Sequence, residues 1–116
     1  MKNIMTIDGH QAVITYDPDL EMFRGEFIGL NGGADFYAAD VPGLRREGAL
    51  SLTVFLDECA RRGIEPRKQF SGRFVLRVAP NLHEAASLAA AAHGESLNQW
   101  GSDVLQEALE HAHTPA

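Results

Sequence analysis

Arg73-Phe74-Val75-Leu76-Arg77-Val78 is the stretch whose reading decides the fold. Read with a period of two it sorts onto opposite faces, Phe74, Leu76 and Val78 on one and Arg73, Val75 and Arg77 on the other. Pro80 stops such a strand and suits the first turn of a helix, where a missing N–H costs nothing. The alanine-rich run from Leu82 to His93 predicts that helix, and Gly94 predicts its left-handed end. Ser96-Leu97-Asn98-Gln99 has the S-x-x-Q form of a capping box and opens a second helix. Leu97, Trp100, Val104, Leu105 and Ala108 then recur at spacings of three and four on one side. About 40 residues of strand and two short helices cannot bury a core alone. Pairing with a second copy solves that problem.

Residues Gly72 to Leu109 resemble a ribbon-helix-helix domain, in which two chains intertwine and their strands form an antiparallel ribbon. Ribbon readers of this kind place the ribbon in the DNA major groove. The resemblance implies that Arg73, Val75 and Arg77 face base edges, where an arginine fork can donate two hydrogen bonds to a guanine. It implies that Ser96 and Asn98, at the start of the second helix, meet a DNA phosphate. Phe74, Leu76, Val78, Leu97 and Trp100 become the dimerisation set. The two arginines would also suit a solvated edge strand; the strand-helix-helix order favours DNA.

Composition constrains that reading. The 116-residue chain carries a formal net charge of −6, and 45% of it is hydrophobic, as in ordinary globular proteins. Residues 1–70 hold eight Lys or Arg against eleven Asp or Glu, a net −3; residues 71–116 hold two against five, again −3. Arg73 and Arg77 are thus the only fixed positive charges of the proposed DNA-binding half. Because phosphate neutralisation supplies most affinity for DNA, one dimer should bind weakly, and several dimers on adjacent half-sites are expected. The single Cys59 excludes an internal disulfide and fits a reducing compartment. No apolar run follows Lys2 as a signal peptide requires, and no stretch approaches a membrane span, so a cytoplasmic protein without membrane association is expected.

The first seventy residues read as a small antiparallel meander followed by a helix. Ala12 to Tyr16 and Met22 to Gly29 predict strands, Phe36 to Ala38 a third, and Met5 to Ile7 a further short one. Asp17-Pro18-Asp19 and Asn31-Gly32-Gly33 are turn signals between them. Asp40 is placed to cap a helix with Pro42 in its first turn. Leu44, Gly48, Leu52, Phe55, Leu56 and Cys59 form its apolar stripe, and Arg61, Arg62 and Gly63 its end. Ile64 to Gln69 is polar and proline-bearing, and reads as a linker.

This order closely resembles the HicB family of antitoxins, over nearly the whole chain from about Met5 to Leu109. The resemblance rests on Ala12 to Tyr16 before Asp17, Phe23-x-Gly25, Gly29-Leu30, and Leu44 through Leu52 to Cys59. Gly63-Ile64-Glu65-Pro66, Phe70-Ser71-Gly72-Arg73-Phe74 and Ser96-Leu97-Asn98-Gln99-Trp100 add to it, the last two segments being the more specific. Gly48 departs from a position where the family commonly has a bulky apolar residue. The implied fold is α+β: a partial ribonuclease H-like toxin-binding domain over 1–65, a linker over 66–70, and a ribbon-helix-helix domain over 71–116. The implied function is to mask a small HicA-like toxin ribonuclease and to repress the operon through operator DNA, as a dimer or a tetramer. The alternative is a stand-alone ribbon-helix-helix repressor whose first domain senses a ligand or assembles oligomers. A neighbouring gene for a small basic protein separates the two.

A ribonuclease H-like domain invites a search for two-metal hydrolysis, which needs several acids converging on ions about 4 Å apart. Asp17, Asp19 and Glu21 read as turn chemistry, Asp40 as a cap, and Asp57 and Glu58 as the polar face of their helix. His10, His83, His93, His111 and His113 have no Cys or acid partners at ligand spacing. The expectation is a protein with no catalytic residues, no metal and no cofactor.

Overall fold

The computed structural model describes residues 3–113. Its element order is β1 (Ile4–Ile7), β2 (His10–Asp17), β3 (Met22–Phe27), β4 (Asp35–Ala38), α1 (Val41–Arg62), α2 (Pro80–Ala92) and α3 (Leu97–His113). The chain is therefore of α+β class. It divides into two compact units, one running through Ser71 and the other beginning at Gly72.

The first unit is a four-stranded antiparallel sheet in sequence order, covered on one face by α1. Its register follows from its turns. Asp8 and Gly9 both have positive φ, 48° and 79°, the geometry of a two-residue hairpin whose twist matches its strands. Ile7 then faces His10, and Met5 faces Ala12. At the next turn the Asp17 carboxylate accepts the N–H groups of Asp19 and Leu20 at 2.9 and 3.3 Å. That self-bonded Asx turn brings β3 back with Tyr16 opposite Phe23 and Ala12 opposite Phe27. Gly29, at φ 74°, turns the chain out of the sheet, so β3 ends two residues earlier than its composition predicts.

Alternation does the rest. Ile7, Ala12, Phe27, Phe36 and Ala38 point to the covered face and join Leu44 and Leu52 of α1 in one buried cluster. Met5, Ile14, Phe23, Phe55 and Leu56 pack around it. Each such large side chain withdrawn from water contributes roughly 1.5–3 kcal/mol. The opposite face carries Arg24, which donates to Asp35 at 2.5 Å and stands 3.4 Å from Glu26. The Asp35 hydrogen bond, more than any other cause, pushes Arg24 further toward its charged form.

The helix has the ends its sequence predicts. Asp40 accepts the N–H of Gly43 at 2.7 Å. At the far end Gly63, at φ 68°, lets the N–H groups of Gly63 and Ile64 reach back to Ala60 and Cys59. The unexpected Gly48 has a packing role. A Cβ there would stand 3.1 Å from two ring carbons of Phe36 and closer still to Ile7 Cδ1, so its absence sets how near α1 lies to the sheet.

The polar stretch after α1 folds back onto the sheet unit. Asn31 receives it: its N–H donates to Pro66 O at 2.9 Å, and its Nδ2 donates to Glu65 O and Arg67 O at 2.7 and 3.2 Å. Lys68 N–H donates to Gly29 O at 2.9 Å, and Arg67 reaches Gly9 O at 3.1 Å.

Candidate nucleic-acid and partner interfaces

The second unit buries little of its apolar content within the single chain. Residues 73–79 belong to no helix or strand, so the strand expected over Arg73–Val78 is not formed in the single chain. A ribbon strand exists only through hydrogen bonds to another strand, and the expected one belongs to a second copy. Phe74 and Leu76 are 70% and 65% exposed, and Val75 is 88% exposed. Val78 and Leu97 are exposed too, while Trp100 is half-buried. Ala90 is the only buried residue described after Ser71.

The two helices pack on each other through a well-formed corner. Gly94, at φ 71°, closes α2 by donating to Ala91 O, while Glu95 N–H donates to Ala90 O, both at 3.0 Å. This pair of bonds is a Schellman ending. Ser96 then opens α3, its Oγ accepting Gln99 N–H at 3.1 Å. The capping box is only half made. The Gln99 amide donates forward to Asp103 Oδ1 at 2.9 Å instead of back to Ser96.

Electrostatics at this corner bear on the phosphate contact expected of Ser96 and Asn98. Glu95 stands beside the start of α3, and its carboxyl is held above the ordinary carboxylate range. Burial is the largest cause, followed by the hydrogen bond and repulsion from Asp103, with His93 opposing. A phosphate arriving there meets helix N–H groups that favour it and two carboxylates that oppose it. The sequence reading missed this pair because Glu95 and Asp103 lie eight positions apart.

The acids of the first unit take the places their local sequence predicts. Asp17 and Asp40 hold backbone N–H groups, and Glu58 pairs with Arg61 and Arg62. Among the described residues no three His, Cys, Asp or Glu side chains come together as a metal site. No helix among them is long and apolar enough to cross a membrane.

A family model matches residues 55–105, and it is that of the HicB family. Over that stretch the chain is similar to the HicB family. This is an antitoxin family of toxin–antitoxin systems. The HicB match begins within α1, passes through the segment docked on Asn31 and through Arg73–Val78, and ends in α3. The sheet lies outside it. No curated protein and no solved structure matches the chain.

Proposed function

We propose that this chain is an antitoxin that masks a small HicA-type toxin ribonuclease through its sheet-helix unit and represses its own operon through the unit after Ser71. The supporting observation is the HicB match, which runs through the stretch after Ser71, where Phe74, Val75 and Leu76 are mostly exposed in the single chain. In this reading residues 72–109 of two copies intertwine as a ribbon-helix-helix dimer. Phe74, Leu76, Val78, Leu97 and Trp100 form its core, and Arg73, Val75 and Arg77 read operator bases. Ser96 and Asn98 position a phosphate. With two arginines per chain and a net −3 over 71–116, affinity must come from several dimers side by side. The sheet-helix unit, read as a partial ribonuclease H-like fold, masks by contact alone.

Co-expression with the small open reading frame adjacent to this gene tests the reading, together with a titration of the purified chain on its own promoter. Rescue of growth, co-purification and cooperative promoter binding are expected. Unrelieved toxicity without co-purification would overturn the masking role.

A further inference from the structure

The sheet unit carries a second apolar surface besides its core. Where α1 begins, Met5, Ile14, Phe23, Val41 and Leu44 line an open groove of about 230 Å³. That is smaller than the roughly 300–1,000 Å³ of pockets built for small molecules, but it suits one or two side chains of another protein. The β2–β3 hairpin that brings Phe23 to this groove ends in exposed apolar groups. Tyr16 stacks edge-on against Phe23 with ring centroids 5.9 Å apart yet stays 58% exposed, and Leu20 at the tip is 56% exposed. The Asx turn at Asp17 holds this tip in shape.

The hairpin side of the groove is acidic, while on the helix side Arg46 stands beside Gly43 and Asp40, and Arg45 donates to Thr6 O at 3.5 Å. From Asn3 to Phe23 the chain carries Asp8, Asp17, Asp19 and Glu21 and no Lys or Arg. Asp40 adds a further carboxylate immediately before Val41. Another exposed apolar pair of this unit, Leu50 and Val54 on α1, has Arg46 one turn before and Asp57 and Glu58 after, a mixed surround. Rigid aromatic and aliphatic anchors beside a uniformly acidic hairpin tip are what a protein interface places opposite a partner of the other sign.

We infer that this groove and the hairpin tip from Tyr16 to Glu21 are the surface that takes the basic toxin. An apolar side chain of the toxin enters between Phe23 and Val41, and its lysines or arginines meet Asp17, Asp19, Glu21 and Asp40. The inference rests on the masking role proposed above and names the surface it uses. The charge complementarity selects the partner: a nucleic acid would be repelled from the same place.

The test uses the full-length chain and the purified product of the adjacent small open reading frame, silenced in its ribonuclease activity, in a binding titration. Leu20→Ser and Val41→Asp are each expected to weaken binding about tenfold or more. Asp19→Lys should do the same with a reduced salt dependence, because it reverses a rim charge. Leu50→Ser and Val54→Ser should bind as the unaltered chain does, and equal melting temperatures verify that every variant is folded. If the unaltered chain binds and the groove and tip variants bind equally well, the surface is wrong while masking stands. If binding is lost only at Leu50 and Val54, the exposed face of α1 is the site. If the unaltered chain does not bind, masking itself falls, and this inference with it.

Discussion

The ring of Phe36 on β4 lies across Gly25 of β3, its register partner, and occupies the space in which a side chain at position 25 would stand. Gly48 of α1 meets the same ring edge from the helix side. One aromatic ring is therefore held between two glycines, and it joins two strands and the helix. Gly25→Ala is expected to cost about 3 kcal/mol, the upper range of overpacking. Gly48→Ala should cost less, since an alanine gains up to about 1 kcal/mol of helix propensity and Ile7 Cδ1 can swing aside. Urea titrations followed by tyrosine emission read the loss in this unit, because Tyr16 and Tyr37 both lie in it. Trp100, the only tryptophan, reports the other unit independently.

Asn31→Ala should release the segment that follows α1. The variant removes hydrogen bonds to two carbonyls at 2.7 and 3.2 Å, worth about 1–2 kcal/mol together. Amide exchange at Lys68 should accelerate, and protease cleavage near Phe70 should increase. Unchanged exchange at Lys68 would mean that the backbone bonds to Pro66 O and Gly29 O, with Arg67 on Gly9 O, hold the segment without the Asn31 amide.

Much of the sheet unit was legible in the sequence because its signals are local. Period-two alternation, the Asp17 turn, the Asp40 cap and the Gly63 ending each act within a few residues, and the structure has them in place. What escaped is long-range. Ile64 to Gln69 has the composition of a tether, and only the position of Asn31 in space shows how much of it is docked. Gly48 falls in the apolar stripe with no side chain to contribute, and only Phe36 beneath it shows why a bulkier residue is absent. The α2–α3 corner was correct in outline, yet the Gln99 amide chose Asp103. The segment from Arg73 to Val78 alternates as a strand does, yet it forms none in the single chain, because alternation alone supplies no strand to pair with.

Phe74→Ala and Trp100→Ala should uncouple dimerisation. Each removes a large apolar side chain whose burial is worth roughly 1.5–3 kcal/mol, once in each chain of the pair. Sedimentation at micromolar concentration should show the variants as monomers with reduced helical circular dichroism. A folded unaltered monomer of full helical content would refute the intertwined dimer.

Arg73→Ala and Arg77→Ala should abolish operator recognition without unfolding the chain. Loss of one bidentate base contact costs about 1–3 kcal/mol and relaxes preference at one base position. Asn98→Ala should instead weaken all sequences alike. Promoter titrations of both arginine variants that match the unaltered protein would end the assignment of this segment to DNA.

Operator affinity should also depend on pH through Glu95. Its carboxyl is raised in the folded unit, so its contribution to stability is fully present below the ordinary value of 4.5 and is lost as pH rises through the raised folded value. Glu95→Gln keeps the shape and removes the charge. Near neutral pH it should stabilise the α2–α3 corner and tighten DNA binding, and it should flatten the acid limb of both profiles. Identical pH profiles for the two proteins would show that Glu95 is silent.

A unit in which Ala90 is the one buried residue among those described has little with which to remain folded in isolation. If a second copy completes it, mass action governs how much of it is folded. Halving the number of chains in a cell then more than halves the number of working operator readers, since each needs two. In the proposed repressor role, repression would then be a steep function of concentration, and dilution by growth without new synthesis would loosen it.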